Sequence, residues 1–282
     1  HRPMLHVVVL AAGKGTRMKS ALPKVLHAVA GTRMIDYVLS ASASLAPATT
    51  TVVVGHQADT LTQALSAYPS LQFVRQEPQL GTAHALLTTE PALAGHTGTV
   101  VMLSGDVPLL PAATLEALVA HHSATGAAAT VLTAIVDQPF GYGRIVRTDG
   151  AITQIVEEKD ATDEQRQISE INSGIYAFEL DGLFDAVRSI GSANAQREYY
   201  LPDLVAIFRA AGRRVETVTV DNPDDIRGIN SRSELAEASA IMRQRINGRL
   251  MASGVTLVDP ETTYIGRNVT VGADTIIHPV SY

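Results

Sequence analysis

The run Leu5-His6-Val7-Val8-Val9-Leu10 breaks off at Gly13, and two runs of the same kind follow it, Thr50–Gly55 and Thr99–Leu103. Near-continuous β-branched strands of this sort are buried on both faces, as in a parallel sheet covered by helices. Between and after them, Met34–Leu45, Asp59–Leu65 and Leu115–His121 (the last following Pro111) carry apolar residues at helical spacing. Strand–helix alternation implies right-handed βαβ units, hence an α/β fold with a doubly wound, mostly parallel sheet. In such sheets ligands bind beyond the carboxyl ends of the strands, where the winding reverses. Residues that directly follow a strand are therefore the first candidates for function.

The second half has a different texture. Ala128–Ile135, Gly143–Arg147, Ile152–Glu157 and Ile175–Glu179 read as strands parted by turns such as Asp149-Gly150, which predicts a mixed sheet with an inserted subdomain. Ser233–Met251 reads as one long connecting helix, with Ser231 or Ser233 as N-cap and Gly254 past its end. In the tail, Ile265-Gly266, Val271-Gly272 and Ile277-His278 recur every six residues. That period marks a parallel β-helix, with a pair of ordinary hairpin strands as the alternative. The chain stops at Tyr282, so at most about one coil of such a helix is expected.

Composition narrows the function classes. With 46% hydrophobic and 18% charged residues the chain can bury a sizeable core. A net charge of −6 argues against a nucleic-acid binder, which neutralises phosphates with a basic excess. Cys is absent, so disulfides, thiolate nucleophiles and Cys-ligated metal sites are excluded. No apolar run is long enough to span a bilayer and no signal peptide opens the chain, while His1-Arg2-Pro3 before Met4 resembles the remnant of an expression tag. A cytoplasmic enzyme or binding domain is expected.

The sharpest motif is Leu10-Ala11-Ala12-Gly13-Lys14-Gly15-Thr16-Arg17-Met18 with Pro23-Lys24, directly after the first strand. Glycines admit close backbone approach, and free amides in such a loop make an anion-binding nest. Lys14, Arg17 and Lys24 add three cations. The spacing fits neither the ATPase phosphate loop nor the dinucleotide fingerprint, since Met18 stands where a third glycine would be. A dehydrogenase is thereby disfavoured. Asp106, in Ser104-Gly105-Asp106-Val107-Pro108, follows a buried strand and is placed either to hold a magnesium ion alongside substrate phosphates or to cap the turn before Pro108. Asn230 alone reads more readily as a capping residue than a metal ligand. Gln76 with Gln79-Leu80-Gly81-Thr82 could read a base edge. Gly141-Tyr142-Gly143-Arg144, Glu157 and Asn172-Ser173-Gly174 offer the close approach, acceptor and amide of a sugar-hydroxyl site.

Taken in order, these motifs, together with Glu198-Tyr199-Tyr200-Leu201-Pro202-Asp203 and the six-residue repeat, resemble the sugar-1-phosphate nucleotidylyltransferases, and among them the bacterial N-acetylglucosamine-1-phosphate uridyltransferases. The resemblance runs from Leu5 to the end of the chain. It implies a Rossmann-like nucleotidyltransferase domain over residues 5–230, a helical linker arm over 231–254 and the start of a left-handed β-helix over 255–282. It also implies UMP transfer from UTP to N-acetylglucosamine-1-phosphate, giving UDP-N-acetylglucosamine and pyrophosphate for cell-wall precursor synthesis. On that basis Arg17, Lys24 and Asp106 are the catalytic candidates, and Asp106 and Asn230 the ligands of Mg²⁺. Leu10, Ala11, Ala12, Gly13, Lys14, Gln76, Gly81 and Thr82 would hold the nucleotide. Ser104 and Gly105 would floor the site, and Gly143, Glu157 and Asn172 would hold the sugar. Family members continue into an acetyl-CoA-dependent acetyltransferase domain and form homotrimers; almost none of that domain falls within these residues, so acetyl transfer is not expected of them. A sibling specificity (glucose-1-phosphate, dTTP or CTP) and a catalytically silent binding subunit are the remaining alternatives.

Overall fold

The computed structural model describes residues 4–282, and the tag-like His1-Arg2-Pro3 lies outside them. In chain order the strands are β1 (Leu5–Leu10), β2 (Ala28–Val29), β3 (Thr32–Arg33), β4 (Thr49–Val54), β5 (Leu71–Arg75), β6 (Thr99–Ser104), β7 (Ala129–Ile135), β8 (Arg144–Thr148), β9 (Ala151–Val156), β10 (Glu170–Glu179), β11 (Val215–Thr219), β12 (Thr256–Leu257) and β13 (Ile276–Ile277). Nine of them build one sheet in the order β11-β7-β10-β6-β1-β4-β5, with the β8–β9 hairpin hung on β10.

The winding goes outward from β1 through β4 to β5, all parallel, then returns to lay β6 on the other side of β1. The reversal therefore falls between β1 and β6. Beyond β6 the sheet becomes mixed: β10 runs antiparallel to both β6 and β7, and β11 is parallel to β7. The strands of the second half thus extend the first sheet, and only the β8–β9 hairpin stands apart as an insertion. Asn172–Gly174, which the sequence offers as a site segment beside the strand Ile175–Glu179, belongs to the same long strand, β10. The register against β7 slips between Asn172 and Tyr176, and Gly174 there has φ +77°. This bulge turns local side chains toward the cleft while the strand continues.

Alternation along β1 feeds two cores. Val7 and Val9 pack on one side with Ile35, Leu39, Leu61 and Leu115, from the helices Met34–Ala43, Ala58–Ala64 and Ala112–Thr125. Val8 faces Leu86, Leu183 and Phe208 from the helices Thr82–Leu87, Leu183–Arg188 and Leu204–Ala210. Fully burying such a side chain contributes roughly 1.5–3 kcal/mol, so a strand apolar on both sides is stable only inside this three-layer arrangement.

The helix Arg232–Ala252 starts at Ser231, whose hydroxyl accepts a hydrogen bond from the Glu234 amide at 3.2 Å. Its Ala238 packs among Val29, Met34, Tyr37, Leu109 and Ile229. Two turns on, Ile246 and Leu250 pack against Val255, Leu257, Ile265, Val271 and Ile277 of the tail. Buried Asn247 adds bonds from Nδ2 to the carbonyls of Pro260 (2.9 Å) and Thr263 (3.0 Å). In the tail, β12 pairs with β13 in parallel and Thr263 bridges to Ser281, so the chain completes one coil and stacks on its own start. A hairpin would pair antiparallel. Among the described residues no helix is long and apolar enough to cross a membrane.

Buried His122 bonds Thr130 Oγ1 through Nδ1 at 2.8 Å, while its Nε2 has no partner among the described residues. Burial, then the neighbouring His121, pushes it from 6.5 down to about 4. Burial also lowers His6 and His27. The folded state holds these rings neutral while the unfolded chain takes up protons below about pH 6.5, so stability falls with pH between 6.5 and about 4. Urea unfolding across that window should show the fall, and His122→Leu should flatten it. An unchanged slope in the variant would take His122 out of the acid response.

Candidate active site

β1 and β6 end in register, Leu10 opposite Ser104, and the Gly105 amide donates back to the Leu10 carbonyl at 2.9 Å. The glycine-rich loop and Asp106 therefore leave the sheet side by side, at the point of reversal. A Cβ on Gly105 would lie 3.0 Å from Val25 Cγ1 and 3.3 Å from the Leu10 carbonyl, so this floor is close-packed. The two loop glycines serve different ends. Gly13 has nothing near its missing Cβ and leaves open space in the cleft. Gly15 has φ +58° and a Cβ there would meet Lys24 Cβ at 2.8 Å, so the loop lies directly on the lysine stem.

Lys24 carries the ion pair at the centre. Its Nζ donates to Asp106 Oδ2 at 2.5 Å and to Asn230 Oδ1 at 2.9 Å. The Ser104 hydroxyl fixes the other carboxylate oxygen, Oδ1, at 2.6 Å. Asn230 comes from far along the chain and is held in place by its neighbour, because the Ile229 amide donates to the Asp106 carbonyl at 3.0 Å. Two hard oxygen donors thus converge on one cationic atom. That donor set suits a magnesium-like ion, which takes few protein ligands and completes its shell with water and phosphate. Among the described residues no group of three or more His, Asp or Glu side chains offers a fuller cage.

Two clefts meet here. The larger, about 490 Å³, is lined by Leu10, Ala11, Ala12, Gly13, Lys14, Lys24, Gln76, Gly81, Thr82, Ser104 and Asp106 from the sequence candidates. The smaller, about 280 Å³, holds Gly143, Glu157, Asn172 and Asn230 and shares Leu10, Thr82, Ser104 and Asp106 with the first. Two candidates line neither cleft. Gly105 packs beneath the floor, and Arg17 sits exposed on the single turn Thr16–Met18 without an ion pair among the described residues. His56 and Tyr176 line the clefts without having been singled out in the sequence, while Gln79, Tyr142 and Glu198 line them from within motifs that were. Of these, His56 directly follows the β4 strand region, so the rule of looking just past a strand would have found it. Gln79, whose side-chain amide donates to the Ala12 carbonyl, lay inside a motif already singled out.

In the larger cleft the buried Gln76 spends Nε2 on the Gly81 carbonyl and His84 Nδ1, both at 3.0 Å, and so has Oε1 left for a ligand. In the smaller, Gly143 brings backbone close to Glu157, since a Cβ there would lie 3.4 Å from Oε1. Burial, then Asp160 and Asp203, pushes the Glu157 carboxyl above its usual 4.5. The Asn172 side chain is oriented from both ends: Nδ2 donates to the Tyr176 hydroxyl at 2.8 Å and Oδ1 accepts from the Gly174 amide at 2.9 Å. Buried Arg144 pairs with Glu158 at 2.6 Å and anchors the hairpin that carries this wall.

A doubly wound α/β sheet with a cationic glycine loop and a lone acid at its switch point defines a nucleotide-handling domain of the nucleotidyltransferase class. Residues 7–168 match the family model of the MobA-like NTP transferase domain, and the chain belongs to that family. It is 52% identical over 275 residues to the bifunctional protein GlmU of Syntrophotalea carbinolica, covering 98% of this chain and 59% of that protein. The corresponding protein of Trichlorobacter lovleyi is 51% identical over 273 residues, covering 96% of this chain and 59% of its own length. The chain thus spans about three-fifths of the curated relatives it matches. A crystal structure of a Bacillus anthracis protein described as a glucose-1-phosphate thymidylyltransferase, in complex with a sucrose, shares the fold: the TM-score is 0.67 at 18% identity, over 84% of this chain and 94% of the other. Nucleotidyltransferases of this family generally use a divalent metal ion.

Gly81 closes the larger cleft against the Glu198–Tyr200 segment. It has φ +109°, and a Cβ would come within 2.6 Å of the Tyr199 carbonyl. That carbonyl accepts from the Ala83 amide at 3.0 Å, and the Leu201 amide donates to Thr82 Oγ1 at 3.0 Å. Gly81→Ala should therefore cost on the order of 1–3 kcal/mol in urea unfolding, the usual scale for backbone strain. A loss below the error of the measurement would show that the seam yields freely.

Proposed function

We propose that this chain transfers UMP from UTP to N-acetylglucosamine-1-phosphate, releasing pyrophosphate and forming UDP-N-acetylglucosamine, a cytoplasmic step toward cell-wall precursors. The observation that carries the reading is the meeting of two clefts at Asp106, one walled by the glycine loop and Gln76, the other by Gly143, Glu157 and Asn172. A nucleotide and a sugar phosphate bound one in each would present their phosphates at that shared wall. The roughly 50% identity to proteins named GlmU, over nearly the whole chain, supports this pair of substrates.

The sugar phosphate is already an anion and needs no general base to make it a nucleophile. One of its oxygens forms a bond to the α-phosphorus of UTP, the bond from that phosphorus to the bridging oxygen breaks, and the electron pair leaves with pyrophosphate. The chain's task is positioning and charge neutralisation. Gln76 Oε1 would accept from the imide N–H of uracil, and the open backbone at Gly13 admits the triphosphate. Arg17, exposed and without an ion pair among the described residues, and Lys14 can swing onto the phosphates. Glu157 and the oriented amide of Asn172 would take sugar hydroxyl and acetamido groups. Asp106 and Asn230 would hold Mg²⁺, which when bound offsets charge on the phosphate oxygens.

Pyrophosphate release should be strong for UTP with N-acetylglucosamine-1-phosphate in Mg²⁺, and weak with dTTP, CTP or glucose-1-phosphate. A different preferred pair would overturn the substrate assignment. Silence from folded protein with every pair would favour a binding subunit. Arg17→Ala should lower kcat by about 10²–10³, the cost of removing one charge-stabilising donor, with a smaller change in KM; a shift in KM alone would remove its transition-state role. Asp106→Ala should fold and lose activity together with its Mg²⁺ dependence, and undiminished turnover at low Mg²⁺ would remove it from the metal site.

A further inference from the structure

The geometry points to Lys24 as a tethered stand-in for the divalent cation: its ammonium and the metal ion exchange places on Asp106 and Asn230, and the exchange frees Lys24 for the substrate phosphates. This rests on the metal-site reading above and goes beyond it, because it makes metal binding and phosphate binding two consequences of one movement.

The ammonium cannot perform both tasks in the arrangement seen. It sits within hydrogen-bond distance of the two oxygens assigned to the metal, Asp106 Oδ2 at 2.5 Å and Asn230 Oδ1 at 2.9 Å. The pair is mostly withdrawn from water, with Lys24 and Asp106 side chains only 13% and 18% exposed, so its Coulomb attraction is less screened than at the surface. A cation arriving at these oxygens must displace the ammonium. Two like charges on the same carboxylate at contact distance repel, and Nζ has to leave. The absence of a side chain at Gly15 leaves room over the stem, since a Cβ there would meet Lys24 Cβ at 2.8 Å and Cγ and Cδ at 3.5 Å, and the bonds beyond Cβ are ordinary single bonds about which the ammonium can swing. Lys24 lines the nucleotide cleft but not the sugar cleft, whereas Asn230 lines only the sugar cleft. Released from Asn230, the ammonium has the nucleotide cleft to enter, where the triphosphate would lie. Asp106 keeps its orientation throughout because Ser104 holds the oxygen that Lys24 does not.

The thermodynamic consequence is reciprocal. While Lys24 holds the two oxygens, metal affinity in the absence of nucleotide is reduced, and by linkage nucleotide and metal each promote the other's binding by the same factor. Removing the ammonium removes the competitor.

Mn²⁺ alone, added as chloride to the nucleotide-free protein and followed by electron paramagnetic resonance of the free ion, reads this without turnover. Lys24→Met, which keeps the apolar stem and drops the charge, should bind Mn²⁺ at least about tenfold more tightly than the starting protein, and Lys24→Gln should do the same should the first variant misfold. Lys24→Arg, retaining a cation, should stay weak. Equal or weaker Mn²⁺ binding in folded Lys24→Met and Lys24→Gln overturns the exchange. Adding Asp106→Asn to Lys24→Met separates the two ideas. Loss of the gained affinity assigns it to these oxygens; its persistence places the Mn²⁺ elsewhere and overturns both the exchange and the underlying metal-site reading. Should Asp106→Asn abolish Mn²⁺ binding while Lys24→Met leaves it unchanged, the metal site stands and only the exchange fails.

Discussion

Because Leu10 and Ser104 finish opposite one another and Gly105 donates back to Leu10, the glycine loop and Asp106 cannot drift apart without breaking the central seam of the sheet. That seam is buried on both faces, so its geometry is set by packing in two cores and passes unchanged to the loops. The placement of the chemistry is therefore a by-product of sheet topology. A strand order that reversed one position away would set a different pair of loops beside each other, and the same residues would have no common target.

Upon this frame the site is organised by charge. The reaction proposed for the clefts asks for neither a protein nucleophile nor a base. The side chains bonded together there are a carboxylate with both oxygens bonded, the Ser104 hydroxyl on one of them, an amide, and an ammonium between amide and carboxylate. Such a cluster keeps opposite charges side by side before any ligand arrives, so metal and phosphates have only to redistribute them. The sugar-side wall is arranged by the opposite means. Asn172 is fixed by neutral hydrogen bonds from a bulge, and Glu157 sits in surroundings that disfavour its charge, where a hydroxyl donor would be welcome.

The parallel half of the fold was legible because its strands are apolar without interruption, a pattern few other structures tolerate. Leu71–Arg75 is an edge strand half open to water, and Val215–Thr219 lies at the opposite edge; both lack that signature and did not stand out. The helices Thr82–Leu87, Leu183–Arg188 and Leu204–Ala210 are each too short to show a clear period. For the site, glycines and charges following strands pointed to the right loops, since motif order reports which loops share a sheet end. What it could not report was pairing. That Lys24 contacts Asp106 and Asn230 rather than open cleft depends on the loop's path over Gly15, and that Tyr176 orients Asn172 depends on the slip in β10. Gly105 shows the limit from the other side: it occurs in a functional motif, but its role is to pack.

The helical arm offers no chemical group to either cleft, yet it is joined to the site at two points. Asn230 immediately precedes its N-cap, Ser231, and Arg232 in its first turn donates from Nε to the Met18 carbonyl at 3.0 Å, at the end of the glycine loop. Further along, Arg245 bonds the Leu109 carbonyl at 2.7 Å and Asp225 at 2.6 Å, tying the same helix to the segment beyond Asp106. Asn230 is thus held by a rigid element anchored on both sides of the cleft, not by a loose loop. A side-chain oxygen so constrained can meet the Asp106 carboxylate in a fixed relation, which an ion with strict coordination geometry requires. The arm's length also has a use: its far end, through Ile246, Leu250 and Asn247, holds the coiled tail, so the element that positions Asn230 also anchors the tail to the sheet domain.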